Sequence, residues 1–235
     1  MIGRIVWWSG LAAIGLVAIG AEVDRTARFE PRMAPLAPEP FRGFAQERLT
    51  QAALVNEDPE QALALARTLV VRRPAPAEHL SLMGRAAILA GDEELALEAL
   101  GAAAERGWRD PTAQSAVAAA ALASEDYPVA ARRIAALWAT GWDREYLDPL
   151  TAALLSKPGG RDALAHEMAQ DGHWRDNFVA LSSGLVTPGG YADLVEKARE
   201  AGAQLPCDRL RPAIQRFEKE GEAEAARRVR GDCPG

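Results

Sequence analysis

Asp58-Pro-Glu-Gln-Ala62, Asp92-Glu-Glu-Leu-Ala96 and Asp126-Tyr-Pro-Val-Ala130 follow one another at intervals of 34 residues. Each begins with Asp, a good N-cap, and continues with Pro or an acidic residue in the first turn, where a fixed φ or a negative charge suits the free amides. The Ala four residues later is small enough to let a neighbouring helix approach closely. On either side of these starts the chain reads as helix, so 43–76, 77–110 and 111–144 are three helix pairs. One pair cannot bury both of its faces, and pairs of this size stack on their neighbours. Beyond residue 144 the spacing loosens. Residues 143–171, 173–202 and 206–230 read as further pairs, broken at turns near Lys157-Pro-Gly-Gly160, Thr187-Pro-Gly-Gly190 and Gly221.

Composition agrees with helix. Alanine is roughly a fifth of the 235 residues, only 6% are aromatic, and no run alternates with the period of a strand. The fold class expected is all-α: a solenoid of about six stacked antiparallel hairpins over 41–235, the last acting as a cap. The clearest repeats are 43–76, 77–110 and 111–144, with degenerate pairs over 145–235.

These units resemble the tetratricopeptide repeat family. In that frame the small position holds Thr50, Gly84 and Ala118, and the preceding apolar position Leu49, Met83 and Val117. The alanine position holds Ala62, Ala96 and Ala130, and the later apolar one Leu69, Ala103 and Leu137. The usual proline is Pro74 in the first unit but Trp108 and Trp142 in the next two, and the large position is Gln46, Leu80 and Gln114. The resemblance implies a partner-binding groove lined by Phe44, Glu47, Gln51, Leu54 and Val55, by Glu78, Ser81, Arg85, Ile88 and Leu89, and by Thr112, Ser115, Ala119, Leu122 and Ala123. It also implies that Ala62, Ala96, Ala130 and Gly84 pack repeat against repeat. The set lacks the basic cluster with which family members clamp a C-terminal carboxylate, and suits an amphipathic helix or an extended apolar segment, or else residues 31–42 of the chain itself.

Ahead of the repeats, Ile5 to Ala21 carries no charge and spans about 26 Å as a helix, close to a bilayer core. Residues 1–22 therefore read as an anchor or as a signal sequence. Trp7 and Trp8 lie where an aromatic belt would sit, and the run exceeds an ordinary signal core. Cleavage after Ala21 is disfavoured by Ile19, whereas Ala18 before Gly20 permits it. Arg25, Arg28 and Arg32 after the run count against simple positive-inside placement. Pro31, Pro35, Pro38 and Pro40 suggest that 23–40 is an extended spacer.

Cys207 and Cys233 are the two cysteines. They fall at the same end of a helical hairpin and read either as two reduced thiols or as one disulfide closing it. The disulfide reading, with the apolar N-terminus, suggests an inner-membrane anchor with the helical domain in the periplasm, or a soluble periplasmic protein after cleavage.

Gly107-Trp108, Gly141-Trp142 and Gly172-His173-Trp174 recur at unit boundaries and read as wedges between units, or as a row of indoles for a glycan or peptide. His166, Glu167, Asp171 and His173 could gather around a metal, but the two histidines are seven apart, not in i, i+4 spacing. No nucleophile elbow or phosphate loop occurs, and acidic pairs such as Glu93-Glu94 and Glu222 with Glu224 fall in first helical turns. No catalytic residue, metal or cofactor is expected. A net charge of −6 argues against nucleic acid. The function expected is non-enzymatic: a membrane-tethered scaffold for protein partners in the cell envelope, in polymer export, secretion or complex assembly. A glycan- or peptide-binding module is the alternative, and a hydrolase using the His166–His173 region a distant third.

Overall fold

The computed structural model describes residues 2–170 and 172–233. The metal-ligand candidate Asp171 lies outside the described residues, as do Met1, Pro234 and Gly235 at the ends of the expected domains. Among the described residues every regular element is helical, and the chain forms two compact units, one ending at Gly107 and one beginning at Trp108.

The first unit contains helices α1 (Ile2–Ala27), α2 (Phe44–Val55), α3 (Pro59–Arg72), α4 (Ala77–Leu89) and α5 (Glu93–Arg106). Asp58 and Asp92 cap α3 and α5, accepting from the amides of Gln61 at 3.0 Å and Leu95 at 3.1 Å. The α2–α3 and α4–α5 pairs are hairpins, and α3 also packs on α4. Their turns are alike: Glu57 and Gly91 adopt positive φ, and the next amide reaches back to the carbonyl of Ala53 or Ala87. A left-handed residue after the last helical turn is a common way to satisfy helix-end carbonyls. Gly84 is the site of closest approach inside the second hairpin, since a Cβ there would lie 2.5 Å from the Leu100 side chain.

The segment 23–40 is not the extended spacer that its prolines suggest. Residues 22–27 continue α1, and Pro31–Leu36 and Glu39–Phe41 form two 3₁₀ turns folded back against it. A 3₁₀ turn tolerates Pro in its first positions because those amides need no partner. Val23, Ala27, Met33, Ala34, Ala37, Ala45 and Leu49 make one small cluster, so packing begins well before Phe41. Gly20, Val23, Asp24 and Ala27 form the stripe of α1 turned to the protein, while Ile5 to Ile19 stay largely bare.

The second unit contains α6 (Pro111–Ala123), α7 (Tyr127–Thr140), α8 (Arg144–Leu155), α9 (Pro158–Ala169), α10 (Trp174–Leu181), α11 (Pro188–Glu200), α12 (Cys207–Lys219) and α13 (Ala223–Arg230). Asp126 caps α7 at Val129, Glu125 repeats the left-handed turn, and Gly221 repeats it again between α12 and α13. Between these ends the pairing departs from simple hairpins. The helices α7, α9, α11 and α13 each pack on the next, whereas the eight-residue α10 packs on α7 and α12. Tyr191 of α11 holds α10 instead by donating from its buried hydroxyl to the Val179 carbonyl at 2.6 Å.

The two Pro-Gly-Gly segments are first turns of α9 and α11, not separate turns. Pro158 and Pro188 occupy the position where a missing amide costs nothing. Gly160 is required by contact: a Cβ there would meet the Leu154 carbonyl oxygen at 2.0 Å. Cys207 and Cys233 are joined in a disulfide with their Cα atoms 5.5 Å apart, tying the start of α12 to the residue region just past α13. The span of 26 residues so closed contributes about 3–4 kcal/mol in the chain-entropy account.

Candidate functional site

The groove positions on α2 meet Arg48 of the same helix and arginines contributed by two other parts of the first unit, Arg28 and Arg73. Phe44 opens α2 without a side-chain cap of its own, because Gly43 has none to offer. Asp24 supplies it from α1, its carboxylate accepting from the amides of Gly43 at 2.8 Å, Phe44 at 3.1 Å and Ala45 at 2.8 Å. Three charge-assisted bonds at a helix N-terminus fix where α2 begins relative to α1.

The Phe44 ring is thereby held between two guanidinium groups, with Arg73 4.4 Å and Arg28 5.2 Å from its centroid. Arg48 donates from Nη2 to the Arg28 carbonyl at 2.6 Å and from Nη1 to Gln51 Oε1 at 2.9 Å. Arg28, Phe44, Glu47, Arg48 and Arg73 line a pocket of about 280 Å³. The pocket thus sets a basic cluster beside the α2 positions, from arginines that are not themselves among the expected groove residues. Arg28, Arg48 and Arg73 come from segments 20 and 25 residues apart, a separation at which no sequence motif signals the meeting.

Beneath the pocket, His79 of α4 is buried with Nδ1 2.8 Å from the Arg73 carbonyl oxygen and Nε2 3.3 Å from Glu47 Oε2. The imidazole thus ties α4 to Glu47 of α2 and to the backbone at the end of α3. The hydrogen bond from His79 holds the Glu47 carboxyl below the ordinary carboxylate range, opposed by burial and helped by the charges of His79, Arg48 and Arg73. Arg73 Nη1 lies 3.9 Å from Glu47 and, though buried from water, has no hydrogen-bond acceptor among the described residues. The pocket therefore offers guanidinium donors to an oxygen ligand, beside an aromatic face.

The other groove candidates scatter. On α4, Glu78, Arg85 and Ile88 are exposed, but Ser81 is buried and takes no part in a surface. Leu54 and Leu89 are half-buried against the Ala53, Ala62, Ala66 and Ala86 cluster, and Val55 is exposed. Thr112 and Ser115 sit half-buried in the first turns of α6 in the second unit, where Ser115 donates to the Thr112 carbonyl. The packing candidates Ala62, Ala96 and Ala130 are all buried.

The indoles differ among themselves. Trp108 is 49% exposed with Arg109 over its ring. Trp142 is half-buried and stacks on Tyr146, and Trp174 lies edge-on to Phe178. The buried indole is Trp138, outside the Gly-Trp pattern. It donates to Thr151 Oγ1 at 3.2 Å and meets Phe178 edge-on at 5.2 Å. His166 and Glu167 line a 630 Å³ cleft between α7 and α9 with Arg132, Asp162 and Gln170, but His173 is not among its walls. Among the described residues no group of His, Cys, Asp and Glu has the arrangement of a metal site.

Set against protein-family models, curated proteins and solved structures, the chain matches none of them.

Proposed function

We propose that the protein is a membrane-tethered, non-enzymatic scaffold of tetratricopeptide-like hairpins, which binds a protein partner in the cell envelope through the α2 and α4 surface of its first unit. The observation that carries this reading is the join between α1 and α2. A helix long and apolar enough to be a membrane span or a signal sequence is packed at Gly20 on Phe41 of the preceding turn and joined through Asp24 to the start of α2. An anchor so joined positions the hairpins at the membrane. The disulfide supports an oxidising compartment, and hence a periplasmic domain. The Arg28, Arg48 and Arg73 pocket, with its aromatic face, favours a partner that presents an acidic side chain or chain terminus.

Affinity capture of the full chain from gently solubilised native membranes tests this, run beside a variant carrying Arg28→Glu and Arg48→Glu. The reading expects a stoichiometric protein partner with the native chain and its loss with the variant. Equal recovery with both forms, or no partner with either, removes the proposed surface. A glycan-binding module is favoured by one observation only, the exposed Trp108. Its signature is Trp fluorescence that shifts on titration with envelope oligosaccharides and stops shifting in Trp108→Ala.

A further inference from the structure

The chain-reversing turn Pro38–Phe41 lies beside the last turn of the charge-free run of α1. A Cβ at Gly20 would sit 2.6 Å from Cδ2 of the Phe41 ring, so the ring lies in close contact with that glycine. Ala21 ends the uncharged run and Asp24, one turn on, already caps α2. Phe41 is therefore level with the end of the apolar run, not raised above it. Ala34 and Ala37 pin the returning chain to α1 and α2, which leaves Leu36, Pro38 and Pro40 turned outward and exposed.

The polar backbone of this turn is covered from the protein side. Arg42 Nε donates to the Ala37 carbonyl at 2.9 Å. Arg72, at the end of α3, donates from Nη1 to the carbonyls of Glu39 at 2.7 Å and Arg42 at 3.3 Å, and its Nη2 lies 3.3 Å from Glu39 Oε1. Two prolines lack amide donors altogether. The turn thus shows its surroundings few unmet backbone groups and several apolar side chains, with one exposed carboxylate, Glu39, paired to Arg72, a mixture that suits the headgroup side of the hydrocarbon boundary.

We infer that Pro38–Phe41 is an interfacial membrane contact, seated in the lipid surface beside the anchor so that the open end of the α2–α3 hairpin rests on the bilayer. This rests on reading α1 as a membrane span. The occupant is lipid because the turn is continuous with the bare face of α1, whose residues Ile5, Trp7, Trp8, Ile14, Leu16 and Ile19 are exposed. The opposite end of the same hairpin, at Val55, is equally open at 78% exposed but is about 18 Å along α2 from the Asp24 cap, and it faces water.

The test uses the full chain reconstituted into phosphatidylcholine–phosphatidylglycerol vesicles, with an environment-sensitive fluorophore on Pro40→Cys, on Val55→Cys and on Ile14→Cys. Labelling without reductant leaves the Cys207–Cys233 bond intact. The expected result is blue-shifted emission at position 40 and collisional quenching by aqueous iodide roughly threefold weaker than at position 55, because headgroup-level burial excludes the ion. Equal quenching at 40 and 55 with position 14 protected overturns the inference while leaving the anchor intact. Strong iodide quenching at position 14 overturns the membrane span itself and this inference with it. Pro38→Cys is a second probe on the same turn, should the first variant lose its helical circular dichroism.

Discussion

The buried members of two clusters in the first unit are alanines, Ala27, Ala34, Ala37 and Ala45 in one and Ala53, Ala62, Ala66 and Ala86 in another, and its large buried side chains are leucines such as Leu69, Leu80, Leu82 and Leu100. The core of the second unit instead gathers Trp138, Leu154, Met168, Phe178, Tyr191 and Phe217, and a disulfide closes its last hairpin. A buried methyl contributes on the order of 0.8 kcal/mol, while a large apolar side chain contributes about 1.5–3 kcal/mol. The two units therefore use small and large side chains in different proportions, aromatic ones being buried in the second. Small side chains let backbones come close, and order then depends on caps and turns at the helix ends. Large side chains supply area directly and depend less on any one hydrogen bond.

The contrast is tested most severely at Phe178, which is fully buried and touches Trp138 and Trp174 edge-on. Phe178→Ala leaves a cavity and is expected to cost about 3–5 kcal/mol, seen as a lower denaturant midpoint and a loss of near-ultraviolet circular dichroism. Reduction of Cys207–Cys233 ranks next. It is expected to remove about 3–4 kcal/mol and to speed amide exchange in α12 and α13. A midpoint unmoved by reductant would mean that the α12–α13 contact suffices without the bond.

In the first unit the comparable lever is polar. Asp24→Ala removes the cap of α2 and leaves three amides without their carboxylate. The expected loss is about 1–2 kcal/mol, with faster exchange at Gly43, Phe44 and Ala45. Asp24→Asn should recover part of it, since one amide oxygen can still accept.

What could be read ahead of the structure follows the same division. The 34-residue spacing was legible because each unit announces itself with local chemistry: an Asp cap, a first-turn Pro or Glu, and an Ala four residues on. The left-handed turn before each cap was hidden at two of three sites, because Glu57 and Glu125 stand where Gly91 stands. The Asp24 cap was illegible because the amides it serves lie 19 to 21 residues away. The arginine pocket was missed for the same reason, being assembled from the residue after α1, from α2 and from the residue after α3. Proline misled in the opposite direction. Four prolines suggested extension, but Pro31, Pro38 and Pro40 sit at or just before 3₁₀ starts, where no amide is missed, and Pro35 is accommodated inside the short 3₁₀ turn Pro31–Leu36.

The turns themselves give a smaller and more discriminating comparison. Gly91, Glu57 and Glu125 share a left-handed backbone, which costs a residue with a Cβ on the order of 1 kcal/mol more than glycine. Gly91→Ala is therefore expected to destabilise the first unit by about 1 kcal/mol, and Glu125→Gly to stabilise the second by a similar amount. Both appear as opposite shifts of the thermal midpoint. Shifts of the same sign would mean that the glutamate side chains make compensating contacts.

The smallest effect belongs to Glu47, whose side chain is 27% exposed and therefore partly screened. Its carboxyl titrates below the ordinary carboxylate range in the folded protein, first because His79 donates to it and then because His79, Arg48 and Arg73 surround it with positive charge. A carboxylate so lowered stabilises the fold in full above the unfolded value of about 4.3. That contribution is lost as pH falls through the lower folded value. The native chain is therefore expected to lose stability more steeply below about pH 4 than Glu47→Gln, while the two run parallel near pH 5. Denaturant midpoints across this range decide it. Parallel curves down to pH 3 would show that the His79–Glu47 tie between α4 and α2 contributes no net stability, and would leave the α2–α4 contact to packing alone.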